Sequence, residues 1–300
     1  MQRRCPLGFL GLAACRAAPG ERSGTFGPAV DSTRAAPIRA EAEVLENRCE
    51  GGVNHRLRLR AAEWPGFAPG QFVMLSPGAL GAAPRSDPLL PRPMAVYAEG
   101  PEPGSLEVRY KRVGRGTALL AAASPGERIR LLGPLGSGFV APPSGVPVLV
   151  VAGGTGIASV YALVRSLGGS NSVRVLLGAQ SVSDLVGLDD FSALGVDVRV
   201  ATEDGSSGAH GLVTQLLEEA LAQTPAAHVY TCGPTPMMRR CAELAQERGA
   251  TCIASLENRM ACGFGVCLGC AAPLSSGGMA LVCCDGPVFD AARIDWEGLA

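Results

Sequence analysis

Residues 146–167 read VPVLVVAGGTGIASVYALVRSL, and this stretch decides the predicted fold class of the second half of the chain. An apolar strand over residues 146–151 leads into the glycine-rich residues 153–156, and a helix-length run follows over residues 157–167. A strand that is apolar throughout is typical of a parallel sheet covered on both faces. Glycines between such a strand and a helix predict a turn whose backbone N–H groups face a phosphate.

Strand-like and helix-like segments continue to alternate after residue 167. Strands are predicted at residues 173–177, 196–200 and 228–231, and helices at residues 182–191, 212–222 and 235–248. This alternation predicts a doubly wound parallel sheet, which binds ligands beyond the carboxyl ends of its strands. Cys232-Gly233-Pro234 follows the last strand at that edge, so the tripeptide and residues 153–156 predict a nicotinamide-nucleotide cleft. Tight packing between strand and helix would explain the glycines of the first turn equally well.

Short alternating apolar runs, separated by Gly and Pro pairs, fill residues 42–132 and predict a small antiparallel β-barrel. One helix is predicted within it, at residues 117–123. Arg92 begins one of the strands, and Gly116-Thr117 opens the helix. An arginine and a Gly-Thr helix start can clamp a pyrophosphate, although a surface arginine and an ordinary capped helix explain the same residues.

The strongest signal is a cluster of cysteines near the end of the chain. Cys262, Cys267 and Cys270 have the C-x4-C-x2-C spacing with which plant-type ferredoxins hold a [2Fe–2S] centre, and Cys283 or Cys284 provides a distant fourth thiolate. A local cluster in a long chain is unlike a secreted disulfide framework, so we expect reduced thiols and a cytoplasmic protein. A structural zinc site and a set of inert buried cysteines are the alternative interpretations.

The choice between Cys283 and Cys284 stays open at this level. We expect residues 280–285 to be extended, and neighbouring side chains of an extended segment face opposite ways. Only one of the two thiols could then point at an iron, and position along the chain does not say which.

Composition excludes several classes of partner. The chain has 300 residues, of which 47% are hydrophobic and 18% charged, and this indicates a folded protein with room for more than one domain. A formal net charge of −1 gives no electrostatic case for binding nucleic acid, and no apolar run is long enough to span a membrane. Residues 1–40 lack periodicity and predict a disordered extension.

The order of these motifs resembles the family of electron-transfer subunits of NAD-dependent (B-type) dihydroorotate dehydrogenase, within the ferredoxin reductase superfamily. The resemblance rests on Arg92-Pro93, Gly114-x-Gly116-Thr117, residues 133–139, Gly153-Gly154-x-Gly156, Cys232-Gly233-Pro234, residues 255–270 and Cys283-x-Asp285-Gly286-Pro287. It implies an FAD-binding barrel at residues 41–143, a NAD-binding α/β domain at residues 144–251 and a [2Fe–2S] module at residues 252–300.

The resemblance also implies roles for individual residues. Flavin contacts are implied for Arg92, Pro93, Met94, Ala95, Arg109, Tyr110, Lys111, Gly116 and Thr117, and nucleotide contacts for Gly153, Gly154, Gly156, Gly233 and Pro234. The implied iron ligands are Cys262, Cys267, Cys270 and Cys283, the last through the Cys-x-Asp-Gly-Pro match. Ala95 stands where the family usually has serine, and Lys111 where it often has arginine.

The implied function is electron transfer. Electrons from dihydroorotate, oxidised on an FMN-containing partner subunit, are expected to pass to the [2Fe–2S] cluster, then to FAD, and to leave as hydride to NAD⁺. The two kinds of subunit are expected to form a heterotetramer. Cys232 and Glu257 are candidates for contacts near the reacting rings, with structural packing as the alternative. A superfamily reductase serving another acceptor is the alternative enzyme, and a zinc-stabilised binding protein is the alternative from another class.

Overall fold

The structure is a computed structural model and describes residues 35–78 and 90–299. Residues 1–34, which make up most of the predicted disordered extension, lie outside the described residues. The rest of the predicted extension, residues 35–40, includes the start of the first strand at Ile38, so its last three residues are ordered in a strand. Within the described ranges, no helix is both long enough and apolar enough to cross a membrane.

Six antiparallel strands close into a barrel in the order β1-β2-β5-β4-β3-β6. They are β1 Ile38–Gly51, β2 Asn54–Arg60, β3 Phe72–Pro77, β4 Arg92–Glu99, β5 Ser105–Lys111 and β6 Arg128–Leu135. Alternate residues face the barrel interior, where Leu57, Val96 and Val108 are fully buried. The antiparallel barrel predicted from the alternating apolar pattern is confirmed.

The barrel helix, α1 Arg115–Ala121, begins two residues before the predicted start at residue 117. The hydroxyl oxygen of Thr117 accepts hydrogen bonds from the backbone N–H groups of Val113 at 3.0 Å and Gly114 at 3.1 Å. Thr117 therefore lies within the first turn of the helix, where its hydroxyl accepts hydrogen bonds from backbone N–H groups that precede the helix.

The other end of α1 is held by the side chain of Asn47 on β1. The Asn47 amide donates to the carbonyl oxygens of Leu120 at 2.9 Å, Ala121 at 3.3 Å and Ala123 at 2.8 Å. Asn47→Asp replaces this donor with an anion facing the carbonyls of a helix end, so we expect the free energy of unfolding to fall by about 1–3 kcal/mol. Chemical denaturation measures the loss, and Gln180→Glu, which also converts an amide to a carboxylate at an exposed position outside the helices, is the control. An unchanged midpoint for Asn47→Asp would show that this cap contributes nothing.

A seven-stranded sheet follows the barrel along the chain and forms the core of the nucleotide domain. Its strand order is β10-β9-β8-β7-β11-β12-β15. Its strands are β7 Val148–Gly153, β8 Val173–Ala179, β9 Asp197–Thr202, β10 Ala209–His210, β11 His228–Cys232, β12 Thr251–Ser255 and β15 Val288–Asp290. The strands are parallel except β15, which pairs antiparallel with β12.

Four helices cover the two faces of this sheet: α2 Ile157–Leu167, α3 Leu188–Ala193, α4 Val213–Gln223 and α5 Thr235–Glu247. Val148 and Val150 of β7 pack in one core with α2 and α3, whereas Leu149 and Val151 pack in a second core with α4 and α5. The doubly wound sheet predicted from the continuous apolar strand is confirmed.

The predicted single helix over residues 182–191 is wrong. The chain forms a 3-10 turn at Val182–Asp184 and then the short helix α3. Gly187 separates them with a φ of 77°, a conformation that favours glycine. A Cβ on Gly187 would lie 3.2 Å from Arg109 Nη1, so glycine also lets this loop approach the barrel.

The cysteine-containing segment lies between β12 and β15 and includes a two-stranded sheet of β13 Ala271–Pro273 and β14 Met279–Leu281. The expectation that residues 280–285 are extended is wrong, because the strand ends at Leu281 and a turn follows. The backbone N–H groups of Cys284 and Asp285 both donate to the carbonyl oxygen of Leu281. The strict alternation of side chains expected for Cys283 and Cys284 therefore does not apply there.

Candidate cofactor and cluster sites

The structure brings together the residues predicted to clamp a pyrophosphate. The Arg92 guanidinium lies against the first turn of α1, where a Cβ on Gly116 would be only 2.5 Å from Arg92 Nε. Arg92 Nη1 donates to the carbonyl oxygen of Leu90 at 2.7 Å, which fixes the guanidinium in this position. A cation beside a backbone turn without a Cβ is suited to a phosphate group, so the arrangement supports the predicted flavin contacts of Arg92, Gly116 and Thr117.

The remaining residues of the first flavin motif occupy different environments. Met94 points into the barrel core, and Pro93 pairs with Met74 of β3. Ala95 packs against a small buried cluster that contains Tyr97 of β4 and Ala158 of α2. The predicted flavin position at Ala95 thus lies beside the helix that follows the glycine-rich turn.

The second flavin motif divides between two environments. Tyr110 points into the barrel, stacks on His55 with ring centroids 5.5 Å apart, and has its pKa raised by burial. Arg109 and Lys111 point the other way and pair with carboxylates of the nucleotide domain, Arg109 with Asp190 and Lys111 Nζ with Asp184 at 3.2 Å. Strand alternation explains the division, and the flavin contacts of these three residues stay a prediction.

The two loops predicted to form the nucleotide cleft lie in direct contact, because β7 and β11 are neighbours in the sheet. A Cβ on Gly156 would lie 2.2 Å from the carbonyl oxygen of Cys232, and one on Gly233 would lie 3.0 Å from the backbone of Gly153. Glycines at these positions let two backbones meet at the carboxyl edge of the sheet. A Cβ built on Gly154 would have no heavy atom within 4 Å, so this side of the turn is open and could face a ligand.

The cluster cysteines lie in two pairs. Cys270 Sγ and Cys283 Sγ are 3.2 Å apart, and the thiol of Cys267 hydrogen-bonds to Cys262. No group of three or more His, Cys, Asp or Glu side chains in the described ranges surrounds a single metal position. Two thiolates on each of two irons is the coordination that a [2Fe–2S] centre requires.

Backbone amides also point at these sulfurs. The N–H of Phe264 lies 3.5 Å from Cys262 Sγ, and the N–H of Gly265 lies 3.2 Å from Cys283 Sγ. Gly263 and Gly265 each have a φ of 83°, which turns successive amides inward. Burial raises the pKa of Cys262, but hydrogen bonds from the amides of Cys267, Phe264 and Val266 lower it to about 7. At Cys283, burial and the neighbouring Cys270 thiol raise the pKa instead. The amides that point at Cys262 and Cys283 are donors that would stabilise negative charge on sulfurs holding an iron–sulfur cluster.

Cys283 and Cys284 differ in burial and in contacts. Cys283 is buried and contacts both Cys270 and the Gly265 amide, whereas Cys284 is partly exposed and lies 3.7 Å from Cys283. These contacts support Cys283 as the predicted fourth ligand.

Two family models match the chain. The iron-sulfur cluster binding domain of dihydroorotate dehydrogenase B matches residues 257–295, and the oxidoreductase NAD-binding domain matches residues 150–243. The dihydroorotate dehydrogenase B (NAD⁺) electron transfer subunit of Desulforamulus reducens is 36% identical over 233 residues, covering 76% of this chain and 87% of that protein. That of Bacillus caldolyticus is 39% identical over 232 residues, covering 75% and 86%. This chain belongs to that family of electron transfer subunits.

Solved structures agree with this membership in the family. An NADH-dependent reduced ferredoxin–NADP oxidoreductase, studied for flavin-based electron bifurcation, superposes with a TM-score of 0.75 at 28% identity, covering 87% of this chain and 91% of that one. The ferredoxin reductase of carbazole 1,9a-dioxygenase shares the fold with a TM-score of 0.62 at 24% identity, covering 72% and 67%. The chain therefore has the ferredoxin reductase fold with an iron–sulfur segment at its end.

The structure brings Cys232 and Glu257 together, with Cys232 Sγ 4.0 Å from Glu257 Oε1. Burial raises the pKa of the Cys232 thiol, and the Glu257 carboxylate raises it further, so the thiol keeps its proton. Glu257 remains in contact with solvent, yet the protein packed around its carboxyl group raises the pKa of that group. A buried thiol and an exposed carboxyl group with a raised pKa beside the nucleotide loops mark a position at which a ligand could bind.

Two serines complete this arrangement, and sequence reasoning did not assign them a role there. Ser159 and Ser255 are buried, and both hydrogen-bond to the Cys232 thiol. The only sequence signal is that Ser159 lies in the helix that follows the glycine-rich turn. Ser255 ends β12, beside β11, which ends at Cys232, so its proximity follows from strand order and not from sequence spacing.

Replacing Arg92 with alanine is expected to weaken FAD binding by about tenfold or more, because a charged hydrogen bond to a phosphate contributes roughly 1.5–3 kcal/mol. Arg92→Lys keeps the charge but loses the planar fork, so an intermediate loss is expected. The FAD-to-protein ratio after desalting and titration of stripped protein with FAD measure both. Arg199→Ala, on half-exposed Arg199 of β9, is the control. Full FAD retention by Arg92→Ala would remove Arg92 from the flavin site.

Proposed function

We propose that this chain is the electron transfer subunit that connects an FMN-containing dihydroorotate dehydrogenase catalytic subunit to NAD⁺, through a [2Fe–2S] cluster and FAD. The observation that carries the proposal is the paired arrangement of Cys262 with Cys267 and of Cys270 with Cys283, inside the segment that matches the cluster-binding family model. Relatives with 36–39% identity over three quarters of this chain bear the corresponding name.

The residues of this chain bind and orient three groups. The four thiolates would hold the irons, while the amides of Phe264 and Gly265 stabilise negative charge on the sulfurs. Arg92 would hold the flavin pyrophosphate, and the joined loops of β7 and β11 would hold the dinucleotide at the sheet edge. When bound, flavin supplies the conversion between one-electron transfer and two-electron hydride transfer.

A proton is available beside the nucleotide loops. Burial and the nearby Glu257 carboxylate raise the pKa of the Cys232 thiol, so this thiol keeps its proton, and burial of the carboxyl group raises the pKa of Glu257 above its ordinary value. We assign to them a contact with the reacting rings, oriented by Ser159 and Ser255.

The catalytic partner subunit is expected to dock at the cluster segment. Phe264, Val266 and Leu268 lie in the loop between cluster cysteines and expose 40%, 74% and 63% of their surface. Leu268 has a φ of 58°, which is rare for a residue with a side chain. Apolar side chains around an electron-transfer centre support docking of a protein surface there, and we propose a cytoplasmic heterotetramer with the partner.

A second candidate is a reductase that serves a different electron acceptor. It is favoured by the TM-score of 0.75 to an NADH-dependent ferredoxin–NADP oxidoreductase over 91% of that chain. The two candidates share flavin, cluster and nucleotide sites but differ in the partner that donates or accepts single electrons.

Anaerobic purification, metal analysis and stopped-flow spectroscopy test the proposal. The chain should contain about two irons and one FAD, and NADH should bleach the flavin. Dihydroorotate should bleach it only when the FMN subunit is present, because no residue set within residues 35–78 and 90–299 is suited to deprotonating dihydroorotate. Stoichiometric zinc without iron would contradict the cluster, and bleaching of the isolated chain by dihydroorotate would contradict the division of labour. Failure of the FMN subunit to transfer electrons would favour the second candidate.

A further inference from the structure

A partly buried network of charged and aromatic side chains joins the barrel to the nucleotide domain. At its centre is Asp190 of α3. Its Oδ2 atom accepts a hydrogen bond from Tyr97 Oη at 2.8 Å and another from the Arg109 guanidinium, and it lies 3.7 Å from Arg56 Nη1. These three partners belong to β4, β5 and β2, so one carboxylate of the nucleotide domain contacts three strands of the barrel.

The ring of Tyr97 forms the aromatic part of the network. It is fully buried and stacks on Tyr161 of α2, with ring centroids 4.2 Å apart and planes 9° apart. The Arg109 guanidinium covers the Tyr97 ring 4.4 Å from its centroid, and Tyr161 in turn packs edge-on against Phe191 of α3 at 5.2 Å. Tyr97 is therefore a barrel side chain held by two helices of the nucleotide domain.

Each guanidinium in the network has more than one carboxylate partner. Arg109 Nη1 lies 2.8 Å from Glu50 Oε2 in addition to its bond with Asp190. Arg56 Nε donates to Glu107 Oε2 at 2.9 Å. Glu50 and Glu107 are barrel residues, so both guanidiniums keep a carboxylate partner within the barrel. The bonds from Tyr97 and Arg109 to Asp190 are the ones that an altered domain arrangement would break. The network thus favours one relative orientation of the two domains.

The network adjoins both segments that are proposed to hold reacting groups. Tyr97 is two residues beyond Ala95 of the flavin motif, and both belong to the small cluster that includes Ala158. Ala158 lies in the first turn of α2, directly after the nucleotide-binding glycines. Two reactants held by different domains react at a rate that depends on how those domains are aligned.

We propose that Asp190 is a positioning residue that fixes the orientation of the nucleotide domain relative to the barrel. It does so through Tyr97 and Arg109, and it thereby aligns nicotinamide with flavin. This inference rests on the proposed function. In the direction that is assayed, NADH loses a hydride and becomes NAD⁺, and FAD takes up the hydride with its two electrons. Asp190 takes no part in that exchange of electrons and acts only through its two barrel partners.

The test compares Asp190→Asn and Tyr97→Phe with wild type, all reconstituted with FAD. Asp190→Asn keeps the shape of the side chain but removes its charge, and Tyr97→Phe removes only the hydroxyl. We expect Asp190→Asn to slow flavin reduction by NADH about tenfold or more and to weaken the long-wavelength absorbance of stacked NADH and flavin. Tyr97→Phe should change both in the same direction by less. The FAD and iron contents should not change.

The control is Asp197→Asn, which removes an ion pair between Asp197 and Arg174 of 2.6 Å that lies wholly within the nucleotide domain. It should leave reduction rate and absorbance unchanged. Equal losses in Asp197→Asn and Asp190→Asn, or wild-type behaviour of Asp190→Asn, would overturn the inference.

Amide hydrogen exchange on the cofactor-free chain gives a readout that does not depend on activity. Exchange in β4 and α3 should be faster in Asp190→Asn than in wild type or Asp197→Asn. Unchanged exchange there would show that Asp190 does not hold the domains together. If NADH failed to reduce wild-type protein, the proposed function would fail, while this comparison would still decide whether Asp190 joins the domains.

Discussion

A Cys283→Ser protein is expected to lose its [2Fe–2S] cluster, whereas Cys284→Ser should keep one. Cys283 Sγ contacts Cys270 Sγ at 3.2 Å and the Gly265 amide at 3.2 Å, so it completes the second thiolate pair. A serine hydroxyl is a weakly acidic, hard ligand that holds iron poorly. Iron should fall from about two per chain to well under one, and electron transfer to a partner should stop.

Iron analysis and electron paramagnetic resonance of the reduced proteins measure this difference. Cys284→Ser is the matched control, because the two positions are neighbours in one turn and receive the same substitution. An intact signal in Cys283→Ser together with a lost signal in Cys284→Ser would reverse the ligand assignment.

The second large effect is expected from Gly156→Ala in the nucleotide turn. The backbone φ of Gly156 is −59°, which any residue adopts, so glycine is needed there for space alone. A Cβ would lie 2.2 Å from the Cys232 carbonyl oxygen and 2.7 Å from the Gly233 amide nitrogen. The two loops must then move apart. We expect a loss of roughly 1–3 kcal/mol in unfolding free energy and of about a hundredfold in flavin reduction by NADH.

Gly168→Ala at the other end of α2 is the control for Gly156→Ala. Its Cβ would lie 3.5 Å from the Arg165 carbonyl oxygen, an ordinary contact, and its φ is −54°. Thermal unfolding and stopped-flow reduction should show near-wild-type behaviour. Equal stability and equal reduction rates for Gly156→Ala and Gly168→Ala would show that the loops separate at no cost and that their contact does not position the nucleotide.

Local pattern was enough to predict the elements that carry the main sites. The helix at Ile157–Leu167 has the predicted bounds, because an apolar strand, a glycine turn and a periodic helix each have a signature within a few residues. The thiolate spacing was equally informative, since a cluster loop must place three sulfurs within a short stretch. The break at Gly187 was not predicted, although a glycine inside a helical pattern is a local signal for one, and only the structure shows that Arg109 of the barrel lies beside it.

Sequence patterns were sufficient to predict the barrel, the parallel sheet, the cysteine set and, through the motifs, the family. The contacts of Arg109 and Lys111, the pairing of the cysteines and the contact of Ser159 and Ser255 with Cys232 depend on how the chain packs. The partners of Arg109 and Lys111 lie 81 and 73 residues away along the chain. Periodicity shows on which side of a strand a residue lies, but the packing of the domains decides which distant side chain contacts that residue.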